Sequence, residues 1–307
     1  MKKNIALIIL LIILVSCRSE KKQVAEKEVK TEIYKTKDFE IIKPIKDSKA
    51  VLILFGGYGE NPDDIKREFK ILNIAKKNLI SLVLMNYSQK LWLEENEKNN
   101  LAKLLQNTLE KYGLNNKDIY IGGFSSGGII SLHISNFIMG ARQFYIEPKG
   151  VFIVDSPIDL LELHKASMKN ISRNFSDISV QESNWLINTL ENKLGNPING
   201  ILEYEKYSVY TLETNHTENL NRLKNTKIRL YTEPDIEWWK KNRMADYEQM
   251  NAYHIKMLSE ALYNRDFKKV EYIPSENKGY RNSGERHPHS WSIIDKEDLI
   301  DWILNKG

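Results

Sequence analysis

The sequence reads as an α/β fold, with a mainly parallel sheet and helices on both faces. Three observations carry that reading. Short, wholly apolar runs at 51–55 (VLILF), 79–85 (LISLVLM, broken only by Ser81) and 151–154 (VFIV) fit strands covered on both sides. Segments with helical apolar spacing lie between them, at 62–78 and 92–112. Glycines punctuate the joins, as Gly56-Gly57 after the first run and Gly113 after the second helical segment. Strands alternating with helices along most of a chain are the pattern of a parallel sheet.

In chain order, residues 34–45 predict one or two edge strands. Residues 51–55 are the first buried strand, followed by a helix over 62–78 with Asn61 as N-cap before Pro62. A strand at 79–85 and a helix at 92–112 follow. Residues 118–121 are a strand that leads into a helix at 125–137. Strands at 151–154, 228–231 and 269–273 come next, and a helix at 295–304 closes the chain. One interval is too long for an ordinary connection: roughly 70 residues separate Asp155 from Ile228, where such loops are normally far shorter. With helical stretches at 160–172 and 181–194, it predicts a cap inserted over the sheet at about 156–226. The alternative is two extra helices at the periphery. There is no internal repeat and no Pro-rich or Gly/Ser-rich linker, so residues 31–307 form one domain in this reading.

Composition narrows the function classes. The chain has 307 residues, 41% apolar and 28% charged, as expected of a globular protein that buries its own core. Its net charge of +4 is small and dispersed, which gives no argument for nucleic acid as a partner.

The N-terminus has a different character. Lys2 and Lys3 precede an apolar run from Ile5 to Val15, too short to span ~30 Å of hydrocarbon as a helix but of signal-peptide length. The run ends in Leu14-Val15-Ser16-Cys17, which resembles a bacterial lipobox. That resemblance implies a signal peptide over 1–16, lipidation of Cys17, and a membrane partner through that lipid. The protein would then sit in a bacterial cell envelope, facing the periplasm or the exterior. Residues 17–30 are charged and lack aromatics, and read as a solvated tether. Cys17 is the only cysteine, so disulfides, thiolate metal sites and a cysteine nucleophile in the body are excluded.

The strongest internal motif is Gly123-Phe124-Ser125-Ser126-Gly127, after the strand DIYI and before an apolar helix. In that context G-x-S-x-G lifts a serine onto a sharp strand-to-helix turn. The helix N-terminus directs its free N–H groups at the same point. A second signal is Phe55-Gly56-Gly57-Tyr58-Gly59, whose glycines allow close backbone approach to a ligand. It is not a nucleotide loop. No Gly-Lys-Ser/Thr follows, and the third glycine of a dinucleotide fingerprint is missing. No cofactor is expected. No HExxH or similar spacing is present, and His287 with His289 offers too few ligands, so no metal is expected either.

Over roughly residues 50–305 these motifs resemble the α/β-hydrolase superfamily. The resemblance implies Ser125 as nucleophile and the loop after residue 55 as an oxyanion loop, with Phe55 where many members have histidine. The implied oxyanion donors are the backbone N–H groups of Gly57 or Tyr58 together with Ser126. The superfamily's order of Ser, acid, His implies Asp235 as acid, after the strand at 227–231. Glu233, or Asp155 and Asp159 after the preceding strand, are alternatives for that role, and Asp235 could instead cap the helix at 236–241. His287 and His289 both precede the closing helix. His289-Ser290-Trp291 resembles the His-Asp-Trp or His-Ser-Trp run of related esterases, which implies His289 as base. His133, His164, His216 and His254 lie in helices or in the cap. The implied activity is that of a serine hydrolase acting on a small-molecule or glycan carboxylic ester, with Tyr58, Trp238, Trp239 and Trp291 near the active edge. A serine peptidase of the same fold, or a non-catalytic binding lipoprotein, is the alternative.

Overall fold

A computed structural model describes residues 29–305 other than Asn115 and Arg142. The expected signal peptide, Cys17 and most of the tether lie outside the described residues. The sheet has eight strands: β1 (Thr31–Lys35), β2 (Phe39–Pro44), β3 (Ala50–Phe55), β4 (Ile80–Met85), β5 (Asp118–Phe124), β6 (Pro148–Val154), β7 (Lys227–Thr232) and β8 (Val270–Pro274). They lie side by side in the order β1-β2-β4-β3-β5-β6-β7-β8. The β1–β2 and β2–β4 pairs are antiparallel, and every pair from β4 to β8 is parallel.

Strand β3 shows why its run is apolar at every position. Leu52 and Leu54 point to one face, Val51, Ile53 and Phe55 to the other, and all five are fully buried. The first face packs against α1 (Pro62–Phe69), α2 (Leu72–Lys77) and α10 (Lys296–Leu304), through Ile65, Phe69, Ala75, Leu299 and Ile303. The second packs against α3 (Glu95–Lys111) and α4 (Ser126–Gly140), through Leu101, Leu105, Ile130 and Ile134. A third cluster joins α4 to α5 (Leu160–Arg173), α6 (Asp177–Leu194), α7 (Leu202–Tyr207) and α9 (Asn251–Tyr263).

Two expected helices come out differently. The one foreseen over 62–78 is broken: Lys70 adopts a left-handed backbone (φ 53°) and ends α1, so that Phe69 docks flat on Trp291 with ring centroids 4.5 Å apart. The apolar spacing runs straight through this break, so only the tertiary contact reveals it. The helix foreseen from 92 starts at Glu95, because Glu94 and Glu97 form a reciprocal capping box there. Between β6 and β7 lie α5, α6, α7 and two short 3-10 turns.

The order of strands sets the position of any site. The chain runs from β3 outward to β4 and then returns to the other side of β3 as β5. Connections leave the C-terminal ends of β3 and β5 in opposite directions, which opens a crevice there. The loops after β3, β5, β6 and β7 all emerge at that edge.

Candidate active site

At the end of β5 the backbone turns through Ser125, which has φ 53° and ψ −126°. This is a strained conformation for a residue with a Cβ. It persists because its surroundings allow little else. The Ser125 N–H is held by Val154 O at 2.9 Å, and α4 starts at the next residue. The motif's glycines are required by space. A Cβ on Gly123 would stand 2.1 Å from Gly127 O, and one on Gly127 would stand 2.4 Å from the carbonyl oxygens of Phe55 and Gly56. The elbow is therefore packed directly against the loop after β3.

Ser125 lies in the wall of a cavity of about 570 Å³, together with His289 and His287. Asp155 Oδ2 is 2.6 Å from His289 Nδ1. A carboxylate acceptor at that distance puts the ring proton on Nδ1 and leaves Nε2 with a free lone pair. Asp155 is itself fixed. It is 4% exposed, its N–H donates to Tyr231 O, its Oδ1 accepts from Thr232 Oγ1 at 2.7 Å, and its carbonyl accepts from Asn251 Nδ2. On its other side the His289 ring packs on Phe124, with centroids 4.5 Å apart.

The expectation that Asp235 orients the histidine is corrected here. Asp235 caps α8 (Ile236–Arg243), where its Oδ1 accepts the Trp238 N–H at 3.0 Å, and its Oδ2 pairs with Arg286 at 2.5 Å. Both oxygens are occupied, and the carboxylate on His289 comes from the end of β6. Glu233 is taken as well. Its Oε2 accepts from Ser275 Oγ and from the N–H groups of Lys278 and Gly279, and its Oε1 pairs with Arg286. It clamps the loop that carries both candidate histidines. Asp159 caps α5 through the Glu162 N–H and accepts from Leu212 N–H, away from His289.

His287 has other neighbours. Its ring lies 4.7 Å from Trp238 and 6.0 Å from Trp239. Burial, with Arg281 close by, pushes its pKa down to about 3, so it is neutral at ordinary pH. Among the described residues no carboxylate, Asp155 included, is hydrogen-bonded to its ring.

The donors expected for an oxyanion need one amendment. The Gly57 N–H already donates to Glu60 Oε2 at 2.8 Å. That leaves Tyr58 and Ser126. Ser126 opens α4, where an N–H has no intrahelical acceptor, and the Tyr58 N–H meets no acceptor among the described residues. The loop stands close to the elbow, since a Cβ on Gly57 would lie 3.4 Å from Ser125 Cβ. Sequence reading passed over Glu60, which looks like a surface glutamate. Its Oε2 also accepts the Trp291 indole N–H at 3.1 Å, so one half-buried carboxyl ties the loop after β3 to the segment after His289. Burial pushes its pKa up, partly offset by these two donors.

Above the elbow, α5 and α6 supply Leu163, Ala166 and Trp185 to the cavity wall. Trp185 meets Tyr58 with ring centroids 4.8 Å apart, which brings α6 down onto the glycine loop. A second wall comes from beyond the expected cap. Trp239 and Arg243 of α8, and Met250 just before α9, line the same cavity. His133 and His254 are buried inside α4 and α9, His164 is paired with Glu191, and His216 bridges Thr211 in a loop; none lines the cavity.

No protein-family model matches the sequence, and no curated protein is detectably similar to it in sequence. Solved structures match over nearly the whole chain. A fluorophosphonate-binding serine hydrolase of Staphylococcus aureus is 12% identical, with a TM-score of 0.54, over 90% of this chain and 98% of that one. Carboxyl esterase 2 of the mycorrhizal fungus Tuber melanosporum is 14% identical, with a TM-score of 0.52, over 92% and 87%. An esterase of Pyrococcus furiosus is 12% identical, with a TM-score of 0.52, over 90% and 89%. With the eight-stranded sheet, these likenesses show that the chain has the α/β-hydrolase fold.

Proposed function

We propose that the protein is a serine hydrolase that cleaves carboxylic esters through an acyl-enzyme on Ser125, and that it is anchored in a bacterial cell envelope by a lipid on Cys17. The observation that carries the catalytic part is the shared cavity: Ser125 on its strained elbow, and His289 whose Nδ1 is held by Asp155.

The chemistry follows from those positions. A serine hydroxyl is a weak nucleophile until a base takes its proton. His289 Nε2, the ring nitrogen left free, accepts it as Oγ attacks the ester carbonyl carbon. The imidazolium that forms is stabilised by the Asp155 carboxylate. The carbonyl oxygen becomes an oxyanion, met by the Tyr58 and Ser126 N–H groups and by the N-terminus of α4. Collapse breaks the C–O bond to the alcohol, which leaves with the proton from His289. Water then repeats the sequence on the acyl-enzyme, with His289 as base, and frees the acid and Ser125 Oγ. The substrate class is a small-molecule or glycan ester, matched to a cavity of about 570 Å³ walled by Trp185 and Trp239.

The anchor rests on sequence: Lys2 and Lys3, the apolar run to Val15, and Ser16-Cys17. Its test is palmitate labelling in a bacterial host, where Cys17→Ser should abolish label and block processing; cleavage and membrane partition that survive Cys17→Ser would refute it. The catalytic part is tested by Ser125→Ala, which should lower 4-nitrophenyl butyrate hydrolysis roughly 10³-fold or more. Retained turnover in the pure variant would move the nucleophile elsewhere.

A further inference from the structure

Two arginines in the cavity wall make no salt bridge among the described residues. Arg243, in the last turn of α8, and Arg281, in the loop clamped by Glu233, both line it and are both half-buried. Neighbouring arginines behave differently. Arg286 is paired with Glu233 and Asp235, Arg173 with Asp246, and Arg229 with Glu271 and Asp298. Arg281 lies over the Phe124 ring, 5.9 Å from its centroid, and the same ring packs against His289. One of the two charges therefore stands beside the reacting groups. Its field also reaches Glu60 and His287 without a hydrogen bond to either. Glu182, exposed on α6, is the one carboxylate among the described residues lining the cavity.

A charge held partly out of water without a partner costs stability, and folded proteins keep such charges where a ligand supplies the partner. Guanidinium forks suit planar, two-oxygen anions. Resting on the ester-hydrolase reading, we infer that the substrate is an ester carrying a second, anionic group of carboxylate type, bound by Arg281 and Arg243. These two arginines then determine specificity, and the apolar side chains from α5 and α6, Leu163, Ala166 and Trp185, take the remaining apolar part.

The experiment uses the purified full chain with two pairs of esters. Mono-4-nitrophenyl adipate against its methyl ester places the anion on the acyl side. 4-Acetoxybenzoate against methyl 4-acetoxybenzoate places it on the alcohol side. In at least one pair, Arg243→Gln/Arg281→Gln should lower kcat/KM for the anionic member about 10- to 100-fold more than for the neutral one. Added salt should erode the wild-type preference. The lysine double variant should keep part of it, since charge remains but the fork is lost. Calorimetric binding of adipate and of 4-hydroxybenzoate to Ser125→Ala adds a readout that needs no turnover. If no ester is hydrolysed but binding of either anion weakens at least tenfold in the glutamine variant, the hydrolase reading fails and the anion site stands. Neutral esters cleaved through Ser125 with equal losses in both members of both pairs, and no arginine-dependent anion binding, would overturn the inference alone.

Discussion

Asp155 and His289 stand 134 positions apart in sequence and meet at 2.6 Å, carboxylate Oδ2 to ring Nδ1. In the proposed mechanism that contact gives the acid role to the end of β6, while Asp235 binds Arg286 and caps α8. Asp155→Asn is therefore expected to lower kcat by roughly 10³- to 10⁴-fold, because an amide no longer selects the productive tautomer. Asp235→Asn should cost less than about tenfold, since Arg286 keeps Glu233. Steady-state kinetics on the two purified variants decides, and the reverse ranking would return the acid to Asp235.

Glu60 acts through others. Its Oε2 accepts from both the Gly57 N–H and the Trp291 indole, and in the proposed mechanism this fixes the loop that carries the Tyr58 N–H. Glu60→Ala should lower kcat about 10- to 100-fold with little change in KM, because the oxyanion donor matters in the transition state rather than in the bound ester. Glu60→Gln keeps an acceptor oxygen and should recover most of the loss. An unchanged kcat in the alanine variant would remove the positioning role.

The glycines of the elbow differ in what they tolerate. Gly123→Ala sets a methyl 2.1 Å from the backbone carbonyl oxygen of Gly127, which cannot yield without moving the elbow. Loss of activity and a Tm lowered by many degrees are expected. Gly59→Ala meets no atom within 4 Å and bears only the strain of its φ of 84°, about 1 kcal/mol. Thermal melting of both variants checks this, and equal melting temperatures would contradict it.

Much of this architecture was legible in the sequence, and the limits have physical causes. The central strands β3 and β4 could be read because burial on both faces leaves a near-continuous apolar run. The elbow could be read because only glycine fits beside Gly127 O and Phe55 O. Place before the closing helix set His287 and His289 apart from the other four histidines, and only the Ser290-Trp291 that follows singled out His289. The acid was not singled out, because β6 and β7 both end in carboxylates at the same edge. The choice between them rests on the Glu233–Arg286–Asp235 cluster, whose members come from segments about 50 positions apart and converge only in the folded chain. Glu60 escaped notice for a similar reason: nothing local marks a glutamate whose carboxyl bridges two distant segments. Of the second cavity wall, Trp239 could be placed near the active edge, but Arg243 and Met250 could not, because they follow β7 and lie outside the expected cap.

Acid should destabilise the fold through buried histidines. His133, inside α4, is pushed down to about 3 by burial, against about 6.5 in the unfolded chain. The unfolded state then binds the extra proton first. Its contribution to stability is present above pH ~6.5 and is lost as pH falls toward 3, at about 1.4 kcal/mol per unit. Asp159 opposes this. Burial pushes it up to about 6, so its contribution is present below pH ~4 and lost as pH rises through 6. His133→Leu removes the acid-side loss and leaves the Asp159 contribution unopposed, so the variant's Tm should rise relative to the wild type's as pH falls from 6 to 4. An unchanged slope would mean that His133 does not titrate on unfolding.

The most direct test of the central claim is covalent. A fluorophosphonate reacts with a serine only where a base has activated it and an oxyanion site receives the phosphoryl oxygen. Intact-mass and peptide mapping of the purified full chain after treatment should find one phosphonyl adduct, on the peptide containing Ser125. The adduct should vanish in Ser125→Ala and form much more slowly in His289→Ala, while His287→Ala labels nearly as fast as the wild type. An adduct on another residue, or a wild-type protein that stays unlabelled, would contradict the assignment of Ser125 and His289.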